Sequence, residues 1–421
     1  MYASTQSSRP AWGAVFSMAL GVFALVTSEF LPSSLLTPMA AGMGVTEGGA
    51  GQAVTVTAFV ALFASLLVST VMHRVDRRAV FLAFSALLVV SDLLVAVAPN
   101  VSVLLAARIL LGIAIGGFWT MSTAAVMRLV PESDIPRALS IVFSGVAAAT
   151  IVAAPVGSYL GAIIGWRLVF LVGAALGLVA LVTQAATLPR MAPRSATNLG
   201  TLLAVMRRPG IGIGVVAAGL VFAGHFAFFT YLRPFLEDVT GVGISGVSGM
   251  LLVFGVANFL GSAMGSWVIK WGLSRTLITM PLIMGMLGIG LAGLGGSQWG
   301  AVTMIAAWGM VFGIVPMSWS TWVADAVPDE AEAAGGLIVA AIQTGIAAGA
   351  AVGGAIVDAS GVSTVFVAGS VVLLAAMLLA WIATRPRSVH VASVVQAKKA
   401  SLADTCSQFL STPQESIRET N

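Results

Sequence analysis

Twelve stretches of this sequence are each long and apolar enough to cross a lipid bilayer, and that leaves the chain little freedom of fold. A hydrocarbon core about 30 Å thick needs roughly 20 apolar residues wound as a helix. By that ruler the spans run approximately 12–36, 50–72, 79–98, 101–123, 138–163, 166–188, 210–234, 245–269, 276–295, 299–322, 335–357 and 362–383. With 58% hydrophobic and 9% charged residues, a water-soluble fold of 421 residues would have too few charges to cover its surface. The expected class is an all-α polytopic membrane protein.

Lys and Arg near the ends of spans are retained on the cytoplasmic side. With the N-terminus inside, 17 of the 20 basic residues fall in cytoplasmic segments, and Arg108, Arg167 and Arg233 remain in or at the outer ends of spans. Both termini are therefore read as cytoplasmic, in a bacterial-type inner membrane. The loop after the tenth span fits less well, because Asp325, Asp329, Glu330 and Glu332 come without a Lys or Arg. The first span is too long for a cleavable signal peptide and is followed by eleven more. The longest break in hydrophobicity, at 189–209, divides the chain into two six-helix bundles, 12–188 and 210–383. A short segment, 1–11, precedes them, and a polar tail, 384–421, is expected to be disordered.

The two halves repeat. At an offset of 196, Glu29-Phe30 falls on His225-Phe226, Thr37-Pro38-Met39 on Arg233-Pro234-Phe235, and Val169-Phe170 on Val365-Phe366. The loops after spans four and ten share a start, Val130-Pro131-Glu132 and Val327-Pro328-Asp329. Parallel repeats of this kind place equivalent residues opposite one another across a central cavity. Glu29 and His225 are then partners in position, and at about 1.5 Å of rise per residue Asp92 and Arg108 reach a similar depth.

An ionisable side chain inside a membrane costs about 2.5–3.5 kcal/mol on insertion scales and marks an ion or substrate path by default. Glu29 is read as a proton carrier, or else as the cap of a structural hydrogen-bond network. His225 shares the proton, contacts substrate, or stays neutral between helices. Arg108 cannot realistically lose its proton; it tunes a carboxylate or pairs with Asp92 to hold spans three and four in register. Gln52, Asn258 and Gln343 are candidate substrate hydrogen-bond groups or helix bridges. Aromatic faces suited to a planar heterocycle come from Phe118 and Trp119 on the fourth span and from Phe226 and Phe229 on the seventh. Trp319 and Trp322, at the inner end of the tenth, are expected to be interfacial anchors.

Other chemistry finds little support. The one cysteine, Cys406, lies in the polar tail, and His73, His225 and His390 share no ligand spacing, so no metal is expected. No G-x-x-x-x-G-K-[ST] loop is present, which argues against ATP-driven pumping. A net charge of +4 with scattered carriers does not suggest nucleic acid.

Several motifs resemble those of the major facilitator superfamily, in particular its twelve-span proton-driven exporters. Arg108-x-x-x-Gly112-x-x-x-Gly116-Gly117 resembles the fourth-span motif that the family associates with proton coupling. Ala154-Pro155-x-Gly157-Ser158-x-x-Gly161, followed by Gly165-Trp166-Arg167-x-x-Phe170, resembles the fifth-span antiporter motif. In it Pro155 offers a bend, and Gly157 and Gly161 permit close helix approach. His73-Arg74-Val75-Asp76-Arg77-Arg78 resembles the family's cytoplasmic gating motif, with His73 at the usual aspartate position and Ser69 for the leading glycine; Asp76, Arg77 and Arg78 form a variant latch or a plain topology signal.

A further set is similar to the purine nucleoside exporters of that superfamily. It comprises Glu29-Phe30-Leu31-Pro32, Leu35-Leu36-Thr37-Pro38-Met39, Gly51-Gln52-x-Val54-Thr55-Val56-Thr57, Gly116-Gly117-Phe118-Trp119, Met127-Arg128-Leu129-Val130-Pro131, Phe226-Ala227-Phe228-Phe229-Thr230-Tyr231 and Trp319-Ser320-Thr321-Trp322. The resemblance implies export of inosine- or guanosine-like nucleosides, and of purine-base analogues, in exchange for protons; the proton gradient is the expected driving force, with no cofactor, and the chain is expected to act as a monomer. The alternatives are an exporter of another small solute, such as a drug, sugar or amino acid, and a non-transporting membrane sensor.

Overall fold

In a computed structural model the chain is helical from one end of the described region to the other. Residues 10–72, 74–192 and 199–385 are described. His73, residues 193–198, the first nine residues and the tail from 386, which includes His390 and Cys406, lie outside them.

Among the described residues fifteen α-helices follow in order. They are α1 (Trp12–Ser34), α2 (Leu36–Met43), α3 (Glu47–Val71), α4 (Arg77–Val97), α5 (Val101–Leu129), α6 (Ile135–Ile164), α7 (Trp166–Thr187), α8 (Leu199–Met206), α9 (Ile211–Thr230), α10 (Leu232–Asp238), α11 (Ile244–Lys270), α12 (Leu273–Leu294), α13 (Gln298–Ala326), α14 (Ala331–Ser360) and α15 (Val362–Thr384). Twelve of these are long and apolar enough to span a bilayer, and α2, α8 and α10 are short. Helix α8 occupies part of the loop expected at 189–209. Polar residues set several starts: Thr46, Asp76, Asn100 and Ser297 each accept from the backbone of the first turn.

Spans one and seven were expected to run unbroken to 36 and 234, but both break earlier, at Leu35 and Tyr231. The cause is a proline three residues on. Pro38 and Pro234 have no N–H to give the carbonyls of Ser34 and Thr230. The helix stops there, and a short helix, α2 or α10, resumes after one residue.

The repeat is physical as well as textual. On α5, a Cβ at Gly112 would meet the Thr57 carbonyl of α3, and one at Gly116 the carbonyl of Ala61. On α13, Gly309 and Gly313 sit against the carbonyls of Phe254 and Asn258 of α11, each pair displaced by 197 residues from its counterpart. Small residues let both helix pairs approach to backbone contact. In the antiporter-like segment of α6 the glycines make room for side chains instead: Gly157 for those of Leu31 and Ser34 on α1, and Gly161 for that of Leu35.

Antiparallel helices give the molecule two ends, one rich in arginine (Arg77, Arg78, Arg128, Arg207, Arg208, Arg275) and one carrying Glu47, Glu237, Asp238 and Asp358. At the acidic end the first half is hydrogen-bonded to the second. Thr37 donates to Glu237 (2.6 Å), and Asp358 accepts from Thr46 (2.8 Å) and from the Gly48 amide (3.1 Å). Arg233 donates to the Ser34 carbonyl that Pro38 left free and to Ser158 Oγ (3.3 Å), and is held by Glu237 (2.9 Å).

Candidate functional site

The four ionisable residues expected in one slab separate into a charged group and an aromatic group. Asp92 on α4 and Arg108 on α5 are each 0% exposed. They make no direct ion pair, contrary to the pairing expected between spans three and four; Ser28 of α1 stands between them. Its hydroxyl donates to Asp92 Oδ1, while its carbonyl accepts from Arg108 Nη1 at 3.1 Å. Arg108 Nε donates to Thr57 of α3 at 3.0 Å. One serine thus ties three spans together, with Thr57 bringing in a fourth. Asp92 Oδ2 and Arg108 Nη2 are buried without partners among the described residues.

Glu29 follows Ser28 and lies within the electrostatic reach of Arg108. It differs from its neighbours in access: it is deep in the protein yet only half-buried, and its carboxylate makes no hydrogen bond among the described residues. Of the ionisable residues in this cluster, it is the one that keeps accessible surface.

His225 joins none of this. It is buried on α9 among aromatic rings, parallel to Phe312 (3.3 Å between centroids, 3°) and stacked on Phe229 and Phe254. Phe226 and Trp308 meet it edge-on, and its Nδ1 has no partner among the described residues. The two groups touch through Phe30, which follows Glu29 and packs edge-on against Phe229 at 5.3 Å.

The remaining candidates fall in several places. Phe118 is fully buried against Phe81 and beside Gly21, inside the packed core of the first half. Trp119 is half-buried and stacks on Phe143 at 5.8 Å. Gln52 and Asn258 are half-buried; Gln343 is buried, with Nε2 unpartnered. Asp76 caps α4 through the Arg78 amide (2.8 Å) and accepts from the Met191 amide (3.3 Å), while Arg77 donates to the Met121 sulfur and Arg78 to the Ala185 carbonyl.

The anchor reading of Trp319 and Trp322 is overturned. Trp319 is 1% exposed, and Trp322 is buried against Gly214 of α9. Position near a span end suggested a lipid boundary, but both rings point into the helix packing. Sequence reasoning missed Ser28, whose one signal is Pro32, the proline four residues on that leaves its carbonyl free, and Phe312, which lies among more conspicuous tryptophans.

The chain matches the family described as Major Facilitator Superfamily over residues 18–339. It is 42% identical over 374 residues to the Purine ribonucleoside efflux pump NepI of Salmonella typhimurium, covering 89% of this chain and 94% of that one. The pump of the same name from Escherichia coli (strain K12) is 43% identical over 373 residues, covering 88% and 94%. In fold the chain is similar to a bacterial homolog of the human lysosomal transporter Spinster, solved inward-facing and unoccupied (TM-score 0.72, 16% identity, 90% of this chain and 97% of that). A D-xylose-proton symporter is equally similar (TM-score 0.72, 16% identity, 88% and 96%).

Proposed function

This chain belongs to the Major Facilitator Superfamily, and from that premise we propose that it exports purine ribonucleosides across a bacterial inner membrane in exchange for protons. It is a multi-pass transporter and not an enzyme. The substrate assignment is supported by its likeness to relatives named for purine ribonucleoside efflux. The observation that carries the ion exchange is Glu29, half-buried beside a sealed arginine.

In this reading the arginine-rich end is cytoplasmic, as basic flanks dictate, and both termini lie inside. The halves are hydrogen-bonded at the opposite, outer end, so the state supports loading from the cytoplasm. A nucleoside enters while Glu29 is ionised and opposed by Arg108. The halves rock, the outer contacts part, and a proton from outside neutralises Glu29 and weakens the hold on substrate, which leaves. Return to the first state releases the proton inside. The cycle needs no bound cofactor and no second copy of the chain. It requires the loaded and protonated forms to favour opposite states, since a ligand with equal affinity for both shifts neither.

Reconstituted into proteoliposomes, the chain is expected to drive uptake of labelled inosine against a proton gradient. Glu29→Gln, which mimics the protonated form, should abolish the gradient dependence and weaken nucleoside binding. Gradient-driven transport unchanged in that variant removes Glu29 from the mechanism.

A further inference from the structure

The interior of the second half holds two side chains that ion exchange does not use. On α13 the exposed Trp299, Met310 and Met317 mark the lipid face. At about 100° per residue, Phe312 lies roughly 200° from Met310, within the buried stripe of Ala301, Ile305, Trp308 and Trp319. It is nevertheless only half-buried. On α11 the lipid face carries Leu252, Val256 and Leu260. Asn258 lies roughly 200° from Val256, among buried residues, and it too is half-buried. A side chain turned away from lipid and still open faces space inside the protein.

The two residues are neighbours at one depth. Each is 14 residues from the acidic end of its helix, about 21 Å in. Asn258 Nδ2 donates to the Gly309 carbonyl at 3.4 Å, one turn before Phe312. A carbonyl accepts and cannot donate, so this contact fixes which way the amide points. Asn258 Oδ1, an acceptor, is left without a protein donor among the described residues. The parallel His225 ring occupies one face of Phe312, and Phe222 supports it at 5.6 Å, so the access that remains is to the other side.

We infer that Phe312 and Asn258 form the base-recognition subsite of the carrier: the purine stacks on the open face of Phe312, and Asn258 Oδ1 accepts a hydrogen bond from N1–H of a 6-oxopurine. The inference rests on the purine nucleoside reading and narrows it. Inosine and guanosine carry a donor at N1, whereas adenosine presents a bare ring nitrogen there. An acceptor held by Gly309 favours the first two. His225 then acts as backing for the platform and holds it at a fixed angle.

Binding of inosine and of 1-methylinosine to the purified full-length chain in nanodiscs tests this. The methyl group removes the N1 donor and leaves the stacking face intact. The wild-type chain is expected to bind 1-methylinosine about tenfold or more weakly, because a polar group built for a donor is left unpaired. Asn258→Ala should bring inosine down to the level of 1-methylinosine, with a ratio near one. Phe312→Leu should weaken both by about tenfold, the scale of one lost stacking contact, and preserve the ratio. Equal binding of the two nucleosides by the wild-type chain overturns the subsite, as does discrimination that survives in Asn258→Ala. The wild-type comparison decides even where a variant fails to fold. A chain that binds no purine nucleoside but carries another solute overturns the substrate reading itself, which is a different result.

Discussion

Equivalent positions of the two halves carry opposite chemistry on the same frame. Glu29 corresponds to His225, Thr57 to Phe254 and Arg108 to Ile305, and the glycines beneath them make the same helix contacts in both. In the first half these positions belong to a polar cluster, in which Arg108 donates to Thr57 and is linked through Ser28 to Asp92. In the second they are apolar but for one imidazole, which is packed among rings. The frame tolerates either because each helix satisfies its own backbone, leaving side chains free to specialise. A duplicated bundle can therefore assign ions to one half and a planar solute to the other without altering how its helices meet.

Exchanging the equivalents breaks the comparison hardest. Ile305→Arg places a guanidinium among rings, with no carboxylate in the second-half cluster to meet it. Arg108→Ile leaves Asp92 and Glu29 without their cation. Losing one partner of a buried charged set costs about 3–5 kcal/mol. Both variants should lose folded, monodisperse protein in size-exclusion chromatography, Ile305→Arg the more completely. An Ile305→Arg variant that folds and transports normally would show that the two interiors are interchangeable.

Milder changes sharpen the contrast. Ser28→Ala removes the hydroxyl from Asp92 but keeps the carbonyl that holds Arg108, and should cost about 1–3 kcal/mol, the penalty of a buried acceptor left unmade. Thermal unfolding reads this directly, and gradient-driven transport should fall with it. His225→Phe should be close to neutral in stability, since it deletes an unpartnered Nδ1 and retains a ring. Transport by His225→Phe should keep its dependence on the proton gradient; loss of that dependence, with Glu29→Gln unaffected, would move the ion to the second half.

The spans were legible in the sequence because lipid imposes one length on every crossing helix. The depth of Glu29, Asp92 and Arg108 was legible from rise per residue alone. Their wiring was only half legible: Pro32 has no N–H for the Ser28 carbonyl, which is left to accept from Arg108, but the hydroxyl that reaches Asp92 leaves no pattern in composition. The breaks at Leu35 and Tyr231 did leave a signal, in Pro38 and Pro234. A proline acts on the carbonyl four residues before it, however, so the effect lies upstream of the residue that announces it. Trp319 and Trp322 misled for a related reason: nearness to a span end says nothing about which side of the helix a ring occupies. Counting residues around α13, as well as along it, separates Phe312 from Met310.

The smallest effect belongs to the arginine-rich end, where the halves again solve one problem in two ways. After α5, the Ala11 amide donates to the Leu129 carbonyl at 2.9 Å, and Arg137 lies over the Trp12 ring at 5.0 Å. After α13, the equivalent junction is an exposed bidentate pair, Arg208 to Asp329 at 2.7 and 2.6 Å, which supplies the cation that the acidic loop lacks in its own sequence. The hydrogen bonds from Arg208 hold the Asp329 carboxyl below its ordinary range. A carboxyl held low in the folded state stabilises above its unfolded pKa, and that contribution fades as the pH falls through the lowered value, below about pH 4. Exposed pairs are weak and screened by salt. Asp329→Asn should therefore shift the melting temperature only slightly at neutral pH and low salt, and not at all in acid or concentrated salt. The backbone contact at Leu129 should respond to neither. Amide hydrogen exchange at the two junctions, compared across a salt series, separates them: protection near Asp329 should decline with salt while protection at Ala11 holds, and parallel decline at both would mean that the two junctions are held by the same kind of force.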